Sequence, residues 1–293
     1  MPKLGFIGAG AVGTALAIKL NSSDYPVVAV ASRSQASAGN LAERIKGCSA
    51  VSSSQDVADV AELVFITTPD DAIASVAAQV DWHRGQGVVH CCGAESPDIL
   101  APARKLGART GAFHPLQTFA SVEKALENIP GYTVAIEAEP PLLETLKDIA
   151  TALGSQWIEL KAGDRVVYHA SAVVACNYLV TLEKLATDLW QQTFNVPRQQ
   201  AVQALLPLIR GTIRNIETVG IPDCLTGPIA RGDIGMVKKH LDALEKAAPG
   251  LLSTYRELGL KTIPVALGKG KIDEQRAKEL EAVLAGPTGK LER

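Results

Sequence analysis

The chain has 293 residues, 47% of them hydrophobic and 20% charged, and its formal net charge is −2. Such a composition excludes a disordered chain and supplies the core of one large domain or two ordinary ones. The absence of a basic surplus argues against a dedicated nucleic-acid-binding protein, which would carry a basic stripe.

The first half of the chain alternates short apolar strands with amphipathic helices. This alternation predicts βαβ units and a mostly parallel sheet. The predicted strands are KLGFIGAG, VVAVAS, ELVFITTP, GVVHCCG, ARTGAFHP, YTVAIEA and QWIELK, and the helices between them are AVGTALAIKL, QASAGNLAERI, DDAIASVAAQV, PDILAPARKLG and PLLETLKDIATAL.

The pattern changes after Lys161. Residues 164–192 contain neither Gly nor Pro and are strongly apolar, which predicts one long helix. This helix is too apolar for an exposed surface, so we expect it to be buried or packed on a partner subunit. We therefore divide the chain into a Rossmann-type α/β domain with a doubly wound, mostly parallel sheet (1–160) and an all-helical domain (161–293). Further helices are predicted at 197–220, 236–248, 250–259 and 273–285.

A glycine loop, Gly8-Ala9-Gly10-Ala11-Val12-Gly13, joins the first strand to the first helix. In a dinucleotide-binding fold the first glycine permits the tight turn, the second lets backbone approach a pyrophosphate, and the third allows close helix–strand packing. The free N–H groups at the helix N-terminus, including Ala11 and Val12, would bind the pyrophosphate. The alternative is a glycine-rich turn without a ligand.

Ser32-Arg33-Ser34 ends the second strand, where an NAD-binding chain carries Asp or Glu for the ribose hydroxyl. A guanidinium flanked by two hydroxyls suits the additional phosphate of NADP, because arginine binds phosphate through a planar fork. We therefore expect NADP as the cofactor. In the alternative interpretation Arg33 only solvates a turn.

Thr67-Thr68-Pro69 ends the next main strand and is followed by Asp70 and Asp71. Parallel sheets bind ligands at the carboxyl ends of their strands, so this loop is expected to line the cofactor. A second interpretation has Pro69 opening a helix whose N-terminus the aspartates stabilise. Both interpretations can hold together.

The fifth strand ends in His114-Pro115, on the same carboxyl edge. An imidazole exchanges a proton near neutral pH, and hydride transfer to a carbonyl needs a proton donor, whereas the reverse reaction needs a base. Gln117 and Thr118 would hold a polar substrate. In the alternative interpretation His114 only hydrogen-bonds backbone and shapes the turn.

Polar residues interrupt the long apolar helix at Tyr168, His169 and Asn177. His169 and Asn177 lie about two turns apart and approximately share a face, which we expect to border a substrate cleft between the domains. Hydrogen bonding inside the helical bundle is the alternative. Further on, Arg231 either recognises a substrate carboxylate or phosphate or is simply solvated, and Asp233 is a candidate cap for the next helix.

The five cysteines are scattered and form no CxxC motif, which favours a reducing cytoplasm over a disulfide framework. Successive strand residues point to opposite faces, so His90, Cys91 and Cys92 do not converge on an ion and no metal is expected. No apolar run approaches the roughly 18–20 residues of a membrane span, and MPKLGFIGAG lacks the regions of a signal peptide. The cysteines are Cys48, Cys91, Cys92, Cys176 and Cys224.

The order of six motifs resembles a bacterial family with a Rossmann-like N-terminal domain and a C-terminal domain of unknown function. The resemblance spans nearly the whole chain and implies a branch of the NADP-dependent reductases, with a second domain like the C-terminal domain of 6-phosphogluconate dehydrogenase. That superfamily includes ketopantoate reductase, pyrroline-5-carboxylate reductase, the β-hydroxyacid dehydrogenases and prephenate dehydrogenase. The motifs are GFIGAGAVGTAL, TTPDDAI, HCCGAES, FHPLQTF, YHASAVVACNYL and GPIARGD.

Two relatives within this superfamily sharpen the expectation. Prephenate dehydrogenases carry a similar His-Pro whose histidine acts on the substrate hydroxyl, which implies that role for His114. They also carry a serine after the preceding strand, where this chain has Gly93 or a neighbouring residue instead. β-Hydroxyacid dehydrogenases place a lysine one turn before an asparagine that Asn177 matches, but Val173 occupies the lysine position. The resemblance therefore leaves acid–base chemistry to His114 or His169.

Together these observations predict an NADP-dependent oxidoreductase. It would act on a small, acidic carbonyl/hydroxyl or imine/amine substrate and form a homodimer through the helical domain. His114, His169 and Asn177 would be catalytic, while Gln117, Thr118, Tyr168 and Arg231 would bind substrate. The missing lysine leaves a second hypothesis, a non-catalytic NADP-binding sensor or scaffold.

Overall fold

The structure is a computed structural model that describes residues 1–128 and 131–286. The chain forms two compact units, Met1–Ala175 and Cys176–Arg293. The first unit reaches further than residue 160 because helix Arg165–Ala172 contacts the sheet edge through Arg165 and Tyr168.

The first unit contains one eight-stranded sheet with the order β3-β2-β1-β4-β5-β6-β7-β8. All neighbouring strands are parallel except β6 and β7. The order of the first six strands is that of a doubly wound dinucleotide-binding sheet, with its switch point between β1 and β4. The strands are β1 Leu4–Ile7, β2 Val27–Ala31, β3 Ser49–Ala50, β4 Leu63–Ile66, β5 Gly87–His90, β6 Arg109–Leu116, β7 Thr133–Ala138 and β8 Gln156–Glu159.

Helices cover the sheet, and the predicted mostly parallel α/β fold is confirmed. The sequence patterns missed β3, the two short helices α3 and α6, and the antiparallel direction of β7. Pro97–Leu100 forms a 3-10 turn ahead of α5. The helices are α1 Ala11–Ser22, α2 Gln35–Glu43, α3 Ser54–Val60, α4 Asp70–Gln79, α5 Ala101–Lys105, α6 Val122–Asn128, α7 Leu142–Ala152 and α8 Arg165–Ala172.

Two apolar cores lie on the faces of the sheet, because alternate residues of each strand point to opposite sides. Phe6 and Phe65 belong to one core and stack at 5.2 Å between ring centroids, whereas their neighbours Ile7 and Ile66 belong to the other. The central strands are buried on both faces, as expected of a parallel sheet covered by helices.

The second unit is helical throughout its described part. Its core joins α11, α12 and α13 through residues such as Val237, Ile263 and Leu280. A 3-10 turn, Pro249–Leu251, precedes α12. The helices are α9 Tyr178–Phe194, α10 Arg198–Thr218, α11 Ile234–Ala247, α12 Leu252–Gly268 and α13 Glu274–Ala285.

The predicted long helix runs from Arg165 to Phe194 and contains a π turn at Val173–Asn177. Its mean hydropathy over an 18-residue window is 1.2, and none of that window is buried in the chain. By length and composition it could cross a membrane, contrary to the expectation that no segment could. Core helices of soluble proteins have the same length and composition, so these two properties alone do not place the helix in a membrane. Val167 and Val180 are 74% and 69% exposed.

Candidate functional site

The loop between β1 and α1 has the geometry predicted for its three glycines. Gly8 has φ +115°, and a Cβ there would lie 2.7 Å from the carbonyl carbon of Thr67. A Cβ on Gly13 would lie 2.3 Å from Thr67 Oγ1, so helix and strand approach closely. A Cβ on Gly10 would meet nothing within 4 Å. Gly10 thus leaves its surroundings open for a ligand.

The N-terminus of α1 is free to bind an anion. No side chain caps it at Gly10, and its first turn, which includes Ala11 and Val12, contains no acidic residue. The helix dipole and unpartnered backbone N–H groups favour negative charge at such a position.

A cleft of ≈ 760 Å³ opens beside this loop. Seven of the residues predicted to bind the cofactor line it. Ser34 is not one of the seven; its hydroxyl accepts the Ser37 N–H at 3.2 Å and caps α2. The seven are Gly8, Gly10, Ser32, Arg33, Thr67, Thr68 and Pro69.

The cleft presents polar groups toward a ligand. Thr67 donates its hydroxyl to Gly8 O at 2.8 Å, which fixes the loop. Thr68 Oγ1 is buried and has no hydrogen-bond partner within residues 1–128 and 131–286. Arg33 is exposed at the cleft. An open glycine, an uncapped helix and an exposed guanidinium together fit a phosphorylated dinucleotide.

A second cleft of equal volume, ≈ 760 Å³, lies elsewhere in the first unit. It is lined by charges of both signs, including Arg104, Glu137 and Lys161, and by none of the residues predicted to bind cofactor or substrate. We therefore place the candidate cofactor site in the cleft beside the glycine loop.

The loop after β5 is held in shape by His90. The Cys92 N–H donates to His90 Nδ1 at 3.2 Å, so Nε2 carries the proton and donates to Ser96 O at 3.3 Å. Burial lowers the pKa of His90 to about 4. Ser96 caps the following turn by accepting the Asp98 N–H, as predicted. His90 thus has a structural role.

Arg165 fixes the same loop from α8, and sequence reasoning missed it. Its side chain is 2% exposed, and its Nη2 donates to Cys92 O at 2.6 Å. Its Nε lies 3.9 Å from Glu137 Oε2, too far for a hydrogen bond. The available signal was its spacing, since Arg165, Tyr168 and His169 follow the i, i+3, i+4 rule for one helix face.

Three predicted residues come together at the carboxyl edge. In β6, His114 lies two residues beyond Ala112, the partner of His90 at the end of β5. His114 Nδ1 and Tyr168 Oη share a hydrogen bond of 2.8 Å, with their rings edge to face. The centroids of His114 and His169 are 6.0 Å apart.

Gly93 makes room for both imidazoles. A Cβ on Gly93 would lie 2.5 Å from His169 Nδ1 and 2.9 Å from His114 Nε2. His169 Nδ1 is buried without a hydrogen-bond partner in the described parts of the chain. Packing thus requires a residue without a side chain at position 93.

Burial and charge set the protonation states of this cluster. Burial, followed by the charges of Arg165, His169 and His90, lowers the pKa of His114 to about 4. Burial raises the pKa of Tyr168 to about 12, although Arg165 opposes that shift. At neutral pH His114 is therefore a neutral imidazole and Tyr168 a neutral phenol.

The remaining residues predicted for catalysis and substrate binding are exposed. Gln117 and Thr118 are exposed, and the Thr118 N–H donates to Gln117 Oε1 at 2.8 Å. Asn177 and Arg231 are exposed in the second unit. Asp233 caps α11 by accepting the Met236 N–H, as expected from the sequence.

Residues 2–115 match the model of the Rossmann-like domain, and residues 132–262 match the model of DUF2520, a domain of unknown function. The chain carries a Rossmann-like domain followed by a DUF2520 domain. This domain pair confirms the resemblance stated from the motifs. Among curated proteins no relative matches the chain.

Solved structures share the fold of this Rossmann-like and DUF2520 chain. A candidate NADP oxidoreductase from Bacteroides fragilis is 26% identical, with a TM-score of 0.72 over 90% of this chain and 98% of that one. A Thermotoga maritima protein is also 26% identical, with a TM-score of 0.74 over 92% and 100%. A reductive aminase from Aspergillus terreus, solved with NADPH and ethyl levulinate, is 18% identical, with a TM-score of 0.64 over 96% and 99%.

Proposed function

We propose that this chain is an NADP-dependent oxidoreductase that transfers a hydride between the nicotinamide and a small, acidic substrate, either a carbonyl/hydroxyl or an imine/amine. The observation that carries this proposal is one sheet edge with two features. The glycine loop opens a cleft lined by Arg33, and His114 in β6 meets Tyr168 and His169 of α8. The similarity to the candidate NADP oxidoreductase of Bacteroides fragilis supports it.

The residues of the cleft have distinct roles toward the cofactor. Gly8, Gly10 and the N-terminus of α1 would hold the pyrophosphate, and Arg33 with Ser32 would bind the 2′-phosphate. Thr68 would offer the bound molecule its hydroxyl, which has no hydrogen-bond partner among the residues that the structure describes. When bound, the nicotinamide supplies or accepts the hydride.

The histidine cluster would act on the substrate. His114 is the first candidate for hydrogen bonding and proton exchange at the reacting atom, and His169 is the second. Arg165 adds a buried positive charge whose field favours an anionic group nearby. This charge supports an acidic substrate.

NADPH binding tests the cofactor assignment. Arg33→Ala is expected to weaken NADPH by about 10- to 100-fold and to leave NADH nearly unchanged, because a charge-assisted bond to phosphate contributes roughly 1.5–3 kcal/mol. Fluorescence titration with both dinucleotides measures this. Arg44→Ala, an exposed arginine at the end of α2, is the control. Equal losses for NADPH and NADH in Arg33→Ala would contradict the assignment.

Turnover separates the enzyme from a binding-only sensor. We expect oxidation of NADPH, followed by its absorbance, with some members of a panel of small keto acids and cyclic imines. His114→Ala should abolish this reaction while retaining NADPH binding. Binding without turnover across the panel would favour the sensor or scaffold suggested by the valine at position 173.

We also infer a cytoplasmic protein with no nucleic-acid or membrane partner. Its cysteines and net charge support the first two points, and the charged Glu183, Lys184 and Asp188 on the long apolar helix support the third. All five cysteines are free, which suits a reducing compartment. The net charge of −2 gives no basic surplus for nucleic acid.

A further inference from the structure

One hydroxyl in the first unit is placed where it can control the state of His114. Tyr168 Oη lies 2.8 Å from His114 Nδ1 and makes no other side-chain hydrogen bond within the described residues. If the imidazole donated to the hydroxyl, the phenolic hydrogen would need another acceptor, and within residues 1–128 and 131–286 no protein group accepts it, which leaves only solvent. With Tyr168 as the donor, both groups are satisfied by one bond.

The donor direction determines the tautomer. A neutral imidazole that accepts at Nδ1 carries its proton on Nε2. His114 Nε2 is the nitrogen near Gly93, and it makes no hydrogen bond to residues 1–128 or 131–286. With Tyr168 as the donor, His114 therefore carries an N–H, rather than a lone pair, at Nε2.

This inference rests on the oxidoreductase function proposed above. We propose that Tyr168 and His114 form a proton relay, and that this relay favours a carbonyl substrate, which is reduced to its hydroxyl, over an iminium.

Hydride addition to a carbonyl leaves an alkoxide oxygen that needs a proton. His114 Nε2 gives its proton to that oxygen, and the N–H bond breaks as the O–H bond forms. At the same time His114 Nδ1 takes the proton of Tyr168 Oη. The imidazole is neutral before and after, and Tyr168 is left as a phenolate that solvent reprotonates.

Arg165 makes the phenolate tolerable. Burial raises the pKa of Tyr168, and the buried guanidinium of Arg165, three residues earlier on the same helix face, opposes that shift and favours the phenolate. The other groups facing His114 are His169 on α8 and His90 on β5, and neither brings a negative charge. A phenol is a far stronger acid than an alcohol, so proton transfer from Tyr168 to an alkoxide runs downhill.

The substrate class follows from this balance. An iminium that accepts a hydride becomes a neutral amine and needs no proton. A relay that delivers a proton is therefore useful for a carbonyl and superfluous for an iminium. Tyr168 acts through His114 and is a positioning and proton-supplying residue rather than a group that touches substrate.

The tautomer can be measured without substrate or cofactor. Two-bond ¹H–¹⁵N correlation spectra of the full chain are expected to show His114 as the Nε2–H tautomer with Nδ1 accepting a hydrogen bond. Tyr168→Phe should lose the hydrogen-bonded Nδ1 signal. The matched control is Tyr255→Phe, because Tyr255 and His240 form the same couple in the second unit, also at 2.8 Å and edge to face. That variant should leave the His114 signals unchanged. An Nδ1–H tautomer in the unaltered protein would overturn the relay, whether or not the protein turns over.

The substrate class is tested by comparing two probes in the same variants. Tyr168→Phe should slow NADPH-dependent reduction of the keto acids by about 10²- to 10⁴-fold, the range of general acid catalysis, and remove their solvent deuterium isotope effect. Reduction of a permanently charged N-methyl cyclic iminium should stay within a few-fold of the unaltered protein, and NADPH affinity should not change. Equal losses for both probes would overturn the carbonyl preference. If neither probe reacts but the spectra show the predicted tautomer, the oxidoreductase function and the proton relay are both contradicted. The hydrogen bond from Tyr168 to His114 is then still confirmed.

Discussion

At the scale of single residues, the candidate site depends on one residue without a side chain. Gly93 lies against two imidazole nitrogens that come from β6 and α8. A packed interior does not absorb an extra methyl group without displacing its neighbours. Gly93 thereby determines where His114 and His169 can be.

Gly93→Ala is expected to lower turnover by about 100-fold, because misplacement of catalytic groups by about 1 Å has effects of this size. NADPH affinity should stay the same, since Gly93 does not line the cofactor cleft. The control is Gly39→Ala in α2, where a Cβ meets nothing within 4 Å. Steady-state kinetics and NADPH titration measure both variants. A Gly93→Ala protein as active as its parent would show that the two imidazoles are not positioned for the reaction.

Buried histidines also make stability depend on pH. The pKa of His114 is lowered from 6.5 to about 4, so the unfolded chain takes up a proton as pH falls through 6.5 while the folded protein does not. The stabilisation is complete above pH 6.5 and is lost as pH falls toward 4. Urea unfolding should show a loss of about 2 kcal/mol per such histidine between pH 7 and pH 5. His114→Gln should reduce that loss. An identical pH dependence in His114→Gln would contradict the lowered pKa.

At the scale of elements, the glycines in the turn from β1 to α1 serve two different purposes, helix packing and ligand binding. Gly13 is needed for the helix to approach the strand, and Gly10 leaves open space at the helix N-terminus. Two glycines of one motif therefore act on different properties, one on stability and the other on the ligand.

Gly13→Ala is expected to lower the free energy of unfolding by about 1–3 kcal/mol, the usual effect of overpacking. Gly10→Ala should leave that free energy within roughly 0.5 kcal/mol, as expected where no packing is disturbed. It should nevertheless weaken NADPH, because its methyl group would occupy the space of the pyrophosphate. Urea denaturation and NADPH titration of the two variants give both quantities. A destabilised Gly10→Ala protein, or one that binds NADPH normally, would be inconsistent with this division.

At the scale of the whole molecule, the chain leaves an apolar helix uncovered. The helix Arg165–Phe194 has a long window with no buried residue. Large exposed apolar patches mark an interaction surface. The helix also carries Glu183, Lys184 and Asp188, and charged side chains are costly inside a bilayer. We therefore propose that a second copy of the chain, rather than lipid, covers it.

Sedimentation equilibrium should show a homodimer for the unaltered protein. Val180→Glu, at a position 69% exposed in the single chain, should raise the dimer dissociation constant by at least about 10-fold, since burying an unpaired carboxylate is unfavourable. Val60→Glu, on an exposed valine of the first unit, is the control. A monomer at all concentrations, or recovery of the protein in the membrane fraction, would contradict the dimer.

The sequence by itself determined the alternation of strands and helices, the geometry of the loop at Gly8, Gly10 and Gly13, and the caps at Ser96 and Asp233. These features are local, because apolar periodicity, glycine conformations and capping side chains act within a few residues. It also predicted His114 at the carboxyl edge, since parallel strands bring their ends together.

Only the tertiary structure decided what surrounds His114. The contacts from Tyr168, the buried Arg165 and the approach at Gly93 join residues 54 to 73 positions apart or on different elements. Periodicity shows which face of a helix is polar, but it does not show which strand that face meets. The lowered pKa of His114 has the same origin. The side chain is buried, and the charge of Arg165 comes near it, only when the chain is folded.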